Sequence, residues 1–422
     1  MKFGSSFFVA LRYLLGRARE GGRYLRGAVA GIALSLIPII VTLIVADGMI
    51  RGITDRYLEL GTGHLQVYNF RDPGDIEDLI PRMSGIGEVR GIWPEQQGLG
   101  VLVGKSGKTG AAIRAVDPAF WNYDERGSYL ITLSGTTKIE SPREVLLGEE
   151  LAQSAGVAVG DTVRIMTIRV TEDGRNIPRF LPFTVRGIVS SGYRELDSLW
   201  CIMSYEGGKQ FLAPELSYTH LIVKIADPYK DANRVAASLY QTLGPGFGIY
   251  TWKELQRSQY QSYESTRQLL LFIMALIVVV AAVNVSSATS MLVIERSRDI
   301  AVLKAFGTNP REISRIFLCG SFLTGLLGAL IGIALGLIIG NYINSLIHGL
   351  EIVLGFFSSL FNREGTVKIL DPGFYLEIIP IIIDWTMIFF IGFFTILCSM
   401  LASWIPAHRA GKIPPMELLR KY

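Results

Sequence analysis

Residues 104–110 read GKSGKTG, a lysine- and glycine-rich string of the kind that cradles phosphate. A nucleotide-binding loop has the form G-x-x-x-x-G-K-[ST], because its backbone amides wrap the phosphates while Lys and Ser/Thr meet phosphate and metal. The position five before Gly104 is Leu99, and five before Gly107 is Leu102, so both frames lack the first glycine. The segment reads instead as a turn between strands at 99–103 and 111–116. The four histidines (His64, His220, His348 and His408) are scattered, and Cys201, Cys319 and Cys398 offer neither metal spacing nor a disulfide framework. No nucleophile–base constellation is apparent. Asp47 and Asp384 fall at the ends of apolar segments, which excludes the chain of buried acids a proton-coupled carrier needs. Whatever work the protein does, its own residues carry no legible energy source.

The elements that hold these residues are set by composition. Of 422 residues, 50% are hydrophobic and 18% charged, too apolar for an ordinary soluble chain and indicative of an integral membrane class. A helical span takes roughly 20 apolar residues. Four segments qualify, and they divide the chain into spans at 27–50, 267–294, 316–343 and 385–405. The first follows a basic start with Lys2, Arg12, Arg17, Arg19, Arg23 and Arg26. Its apolar run is long and lacks an A-x-A-like site, so an uncleaved anchor is preferred to a signal peptide. Lys and Arg cluster in 1–26, 295–315 and 406–422, which places those segments in the cytoplasm. Residues 51–266 and 344–384 then lie outside, the second as a loop. The net charge of +4 reports this topology and no nucleic-acid partner.

The outer region 51–266 alternates short β-rich runs (64–69, 99–103, 111–116, 144–148, 162–170, 183–190, 198–203, 220–226) with helices at 149–155, 205–213 and 229–243. It reads as an α+β domain with its own core. The polar stretch TEDGRNIPRFLP between 170 and 183 reads as a protruding hairpin tip. No Gly or Pro occurs between Gly248 and Gly307. That predicts one unbroken stalk-plus-span helix of about 85 Å. Gly328, Gly332, Gly336 and Gly340 recur every four residues, with Gly320 and Thr324 on the same ridge, and such a ridge admits close helix packing in lipid. The helix it meets, in this chain or a partner, is left open.

Residues 291–317 (MLVIERSRDIAVLKAFGTNPREISRIF) interrupt two apolar runs. Ile300, Val302, Leu303 and Phe306 form a helical stripe opposite Glu295, Arg298, Asp299 and Lys304. Gly307 is placed for a left-handed C-cap. Asn309, Pro310 and Glu312 have the spacing of a capping box with proline at the first helical position. A loop needs no such caps, so the string predicts a shaped docking element: a short helix, a hard corner and a helix re-entering the membrane.

The string ERSRDIAVLKAFGTNPREI resembles the coupling region of ABC permeases with four spans and a large extracytoplasmic domain, as do GLLGALIGIALGLIIG and ASWIPAHRAGKIPPMELLRKY. FFVALRYLLGRAR, LGTGHLQVY, VLLGEELAQSAGVAVGDTV, RGIVSSGYRELDSLWCIMS, TWKELQ and FYLEIIP narrow the resemblance to the lipoprotein-releasing permeases of the LolC/LolE type, within the macrolide-exporter and cell-division-permease superfamily. It covers essentially the whole chain in order. The fold it implies is an α-helical integral membrane protein with four transmembrane helices and a large α+β extracytoplasmic domain inserted between helices 1 and 2. The function it implies is that of a permease subunit in the bacterial inner membrane, extracting lipoproteins from the outer leaflet. Its implied partners are a cytosolic ATPase dimer holding the ATP and Mg, a second permease subunit (a paralogue or itself), a periplasmic lipoprotein carrier and membrane lipids. No cofactor is expected on this chain.

Residue by residue, Glu295, Arg298, Asp299, Ala301, Leu303, Lys304, Ala305 and Gly307 match the ATPase-coupling motif. Asp173, Arg175, Pro178 and Arg179 fall where one paralogue holds the carrier. Ser35, Pro38, Asn284 and Ser286 are candidate walls of an acyl-chain cavity, with helix packing as the alternative. A signalling permease that activates a periplasmic hydrolase and a small-molecule or peptide exporter remain rival readings.

Overall fold

The computed structural model describes residues 8–10, 22–70, 76–122, 129–170, 173–360, 376 and 378–412. Most of the basic N-terminal segment 1–26, and the tail beyond 412, lie outside the described residues. The chain divides into two compact units, one of Met1–Gly48, Tyr263–Val367 and Ile379–Tyr422, the other of Met49–Ser262 and Lys368–Ile378. Helix α1 (Gly22–Arg56) starts in the first unit and ends in the second.

The second unit is built on ten strands among the described residues: β1 (Leu65–Asn69), β2 (Val89–Val103), β3 (Lys108–Val116), β4 (Ile131–Gly135), β5 (Glu144–Gly148), β6 (Thr162–Val170), β7 (Asn176–Ser190), β8 (Trp200–Ser204), β9 (Ser217–Ile225) and β10 (Phe247–Thr251). They are paired in the order β10-β1-β9-β2-β3-β8-β5-β7-β4, and β6 pairs with both β2 and β7. The strands β2, β3, β8, β5, β7 and β6 thus close a ring. Alternate side chains point inward along each strand, and the ring is filled by Ile113, Val145, Leu147, Val163, Ile165, Phe183, Val185, Cys201 and Met203. Helices α2 (Glu149–Ala155) and α3 (Tyr205–Phe211) add Leu151 and Phe211 to that core.

A second core lies where β1 and β9 meet helix α4 (Ala232–Leu243) through Leu65, Val67, Leu221, Val223, Val235 and Leu239. Strand β2 serves both cores, pairing with β9 over Val89–Gly98 and with β6 over Val101–Val103. Most expected strands and helices of this unit are present. The expected hairpin tip is largely strand, because β7 begins at Asn176 opposite Val170. Strands β4 and β10 had no expectation, although β4 (ITLSG) alternates apolar and polar residues; all of its residues are exposed.

In the first unit, helix α5 (Arg257–Glu295) is followed by α6 (Ser297–Ala305), α7 (Pro310–Asn341), α8 (Ile343–Leu360), α9 (Trp385–Ala402) and α10 (Trp404–Lys412). Four helical stretches are long and apolar enough to cross a membrane: Tyr24–Gly61, Arg257–Glu295, Pro310–Asn341 and Trp385–Lys412. The unbroken helix expected between 249 and 306 is not formed. Helix α5 has 39 residues, a length of about 58 Å, and is interrupted on either side at Gln256 (φ −104°) and Arg296 (φ −92°). Tertiary anchors replace the missing helix breakers. Thr251 and Glu254 form a capping box for a separate turn, Trp252–Leu255, and buried Trp252 donates its indole N–H to the Pro228 carbonyl at 2.9 Å. The segment expected as a loop from 344 instead opens with helix α8, which exposes Leu346, Leu350, Val353 and Phe356.

The glycine ridge of α7 packs on α1 of the same chain. A Cβ at Gly328 would meet Ile32 at 2.7 Å, at Gly332 Leu36 at 2.8 Å, at Gly336 Ile40 at 2.7 Å and at Gly340 Ile44 at 2.5 Å. The two series rise together, so α1 and α7 run parallel. Thr289 of α5 shares its buried hydroxyl with Ser321 of α7 (3.2 Å) and Ser403 (3.3 Å), whereas Arg267, near the start of α5, sits by Asp47 at the far end of α1. Helix α5 therefore runs against α1 and α7, as consecutive spans must.

A Cβ at Gly320 would meet nothing within 4 Å, although it shares the ridge spacing. Overpacking a tight contact costs about 1–3 kcal/mol. We expect Gly332→Val to lower the thermal midpoint of the detergent-purified chain by several degrees and Gly320→Ala to leave it unchanged, read by thermal unfolding.

Beneath the sheet, Glu95 and Arg114 are both fully buried and paired, Nε to Oε1, at 2.6 Å. Burial alone would raise the Glu95 carboxyl. The Arg114 charge, seconded by His220 at 3.2 Å, outweighs it and holds the group at about 2. With an unfolded value near 4.3, this depression contributes stability that is present above about pH 4.3 and lost as pH falls toward 2. Removing one partner of a buried pair costs about 3–5 kcal/mol. Glu95→Gln should unfold at markedly lower temperature at pH 7, and the gap to the parent should narrow between pH 4.3 and 2.

Candidate functional site

The coupling string folds as a capped elbow. Helix α6 ends on Gly307 at φ +83°, with the Gly307 N–H donating to Lys304 O at 2.9 Å and the Thr308 N–H to Leu303 O at 3.1 Å. That pair of bonds is the Schellman motif, and the positive φ is why glycine stands there. Glu312 then accepts from the Asn309 N–H at 3.1 Å, and the Asn309 side chain from the Arg311 N–H at 3.1 Å, starting α7 behind Pro310. The corner has two rigid caps and one intervening residue, Thr308.

The face of α6 differs from the expected stripe. Ile300 and Ala301 turn inward and are buried, Ile300 in a cluster with Leu292, Val293, Ile313 and Phe317 and with Ala407 and Ala410 of α10. Helix α10 comes so close that a Cβ on Gly411 would meet the Pro310 carbonyl at 2.5 Å. Ala301 is therefore a packing residue of the elbow, not an exposed contact. Glu295, Arg298 and Ala305 are exposed, Leu303 and Lys304 half-buried, and Asp299 accepts from Arg296 at 3.1 Å. Val302 and Phe306 point outward, Phe306 at 86% exposure. A phenyl ring held open beside two caps is the feature that the stripe reading missed, since periodicity cannot say which side of a short helix is covered.

A second set of residues had no sequence signal. The last turns of α1 and the following wide turn, Tyr57–Gly61, are held by partners far along the chain within the second unit. Arg56 Nε donates to the Ser191 carbonyl at 2.7 Å, and Tyr229 Oη to Asp55 at 2.6 Å, with the Arg51 guanidinium 3.8 Å above the Tyr229 ring. Lys224 Nζ reaches Glu59 at 3.0 Å, and His64 Nε2 lies 3.2 Å from the same carboxylate. Arg114 donates through Nη1 to the Leu60 carbonyl and through Nη2 to the Gly61 carbonyl at 2.9 Å, between the Trp121 and Trp200 rings. The helix end is clamped by four separate strands and loops.

At the other end of the membrane unit's helices, Arg267 pairs with Asp47 at 3.0 Å and with Asp384 at 3.3 Å, and Asp384 also caps α9 through Thr386 and Met387. The two acids noted in the apolar segments share one arginine.

The remaining sequence candidates are less coherent. Of the hairpin residues, Arg179 is drawn back: its Nη1 donates to the Gln210 carbonyl at 3.0 Å and its guanidinium lies over Phe211, which removes it from the projecting contact set. Pro178 is paired in the β6–β7 ladder opposite Ile168, and Asp173 and Arg175 are exposed at the turn. Ser35 donates to the Gly31 carbonyl at 2.9 Å and is half-buried, as is Ser286, while Pro38 and Asn284 are exposed. Among the described residues no side-chain hydrogen bond joins any two of these four.

Comparison with known proteins places this architecture. Residues 27–241 match the MacB-like periplasmic core domain and residues 271–415 the FtsX-like permease C-terminal region. The lipoprotein-releasing system transmembrane protein LolC of Xylella fastidiosa (strain 9a5c) is 28% identical over 98% of this chain and 98% of its own length. LolC of Neisseria meningitidis serogroup B is 25% identical over 99% of each chain, and LolE of Haemophilus influenzae 24% over 99% of each. Half of the chain is the core domain of these permeases and the similarity to their lipoprotein-releasing branch runs end to end, so the chain belongs to the ABC transporter permeases of the LolC/LolE type.

Proposed function

We propose that the chain is the membrane subunit of an ATP-driven complex that withdraws lipid-anchored proteins from the outer leaflet of the bacterial inner membrane. The capped elbow with its outward Phe306 is the observation that carries this reading. A rigid corner presenting one phenyl ring beside Lys304 and Arg298 suits the groove of a separate cytosolic ATPase dimer, to which ATP and Mg would belong. The Lys/Arg-rich end of the spans would face the cytoplasm, and the second unit, 49–262, would stand in the periplasm. A second permease subunit, this chain again or a paralogue, would complete the transporter, and the β6–β7 arm with exposed Ile177 and Phe180 would meet a periplasmic carrier. Transmission would run through α1, which is clamped at its outer end and packed along the α7 ridge, instead of through a straight α5. The chain itself would hydrolyse nothing.

Two measurements test this. Val302→Asp with Phe306→Asp should abolish co-purification of the ATPase without shifting the thermal midpoint, because both side chains are exposed in the isolated chain. Depletion of the protein should leave lipoproteins behind in the inner membrane on density-gradient fractionation. Unchanged sorting, or an ATPase retained by the double variant, would overturn the assignment.

A further inference from the structure

The second unit contains a cavity of about 720 Å³, within the range of roughly 300–1,000 Å³ that suits a small apolar ligand. Its walls are Leu99 of β2, Ile168 of β6, Leu199, Leu216 and Tyr218. These side chains are open to solvent in the isolated chain, Leu99 at 80% and Tyr218 at 73%. Exposed apolar groups gathered round one concavity mark a ligand or partner site far more often than isolated ones do. The position in the unit narrows the ligand. Tyr57, Gly61 and Thr62, where the chain enters from the first span, form one wall, and Gln256, where it leaves for α5, touches the same space. Ile168 belongs to the arm formed by β6 and β7. The cavity thus lies between the chain's two connections to its spans and the base of the arm.

Charge narrows it further. Glu195 and Glu215 stand at the exposed rim, and among the described residues the single cation in the lining is Arg114. That guanidinium is already committed to Glu95 and to the Leu60 and Gly61 carbonyls. Two rim carboxylates with no available cation repel a phosphate headgroup and accept an uncharged one. We propose that the cavity receives an acyl chain of a lipid-anchored polypeptide after that chain leaves the bilayer, and that it discriminates against anionic phospholipid. The inference rests on the function proposed above and adds to it a binding station outside the spans.

The test uses the full chain with its co-purifying partners in nanodiscs, carrying benzoylphenylalanine at Leu99, at Asn284 in α5 or, as a control, at exposed Tyr240. The probes are a peptide starting with S-(dipalmitoylglyceryl)cysteine and phosphatidylglycerol, each radiolabelled in its acyl chains. Lipopeptide crosslinking at 99 should exceed that at 240 at least tenfold and fall about tenfold with Leu216→Glu. Phosphatidylglycerol should label 99 weakly, and Glu195→Gln with Glu215→Gln should raise its labelling several-fold. Equal labelling at 99 and 240, insensitivity to Leu216→Glu, or equal use of the two lipids would overturn the proposal. Lipopeptide labelling confined to 284 would overturn the cavity while leaving lipoprotein extraction standing. Labelling at neither position would count against both.

Discussion

The structure depends on how a buried guanidinium is neutralised. Arg114 sits on β3, where the ring of six strands and the sheet above it share β2, and its donors reach Glu95 and the last carbonyls of the wide turn after α1. A helix end leaves carbonyls without partners, and a buried charge without a counter-charge is costly. Each need answers the other. Moving the end of α1 alone would leave the buried Nη donors of Arg114 and the Leu60 and Gly61 carbonyls without partners. Lys224 on Glu59 and Arg56 on the Ser191 carbonyl add further restraints on the end of α1 from other elements of the second unit.

Along the spans, α1 is constrained by shape instead of charge. The four glycines of α7 let Ile32, Leu36, Ile40 and Ile44 sit against bare backbone. Without a hydrophobic driving force inside lipid, such close packing is what holds helices together. The elbow begins α7 through its capping box, so in the proposed function a push on the elbow would act on a helix packed closely along α1. Helix α5 is the less direct route, with an interruption at each end where the chain turns about Arg296 and Gln256.

The legible parts of the molecule were those specified by neighbours in sequence. Gly307, Asn309 and Glu312 act within a few residues of one another, so the elbow could be read from spacing alone. The apolar runs of the spans, and strands such as β5 and β6, carry their pattern inside themselves. What could not be read is set by distant partners. Nothing near Arg114 announces a pair with Glu95 across a sheet, and nothing near Arg56 announces Ser191. The absence of Gly and Pro between 249 and 306 removed the obvious breakers, yet Trp252, held by the Pro228 carbonyl, ended the helix from outside. The same limit reversed Ala301 and Phe306: one is buried and the other in the open, and the spacing of a short helix does not say which side its neighbours cover.

The proposed linkage and the proposed ligand selectivity converge on one ion pair. The Arg114 charge holds the Glu95 carboxyl down at about 2, so the pair stays matched at neutral pH. The match fixes the helix end. It also keeps the floor of the cavity from presenting a free cation to phosphate, leaving the Glu195 and Glu215 rim to set the sign of the field there. Under the two proposals above, the anchoring of the end of α1 and the refusal of phospholipid would both rest on the burial of Glu95 beside Arg114.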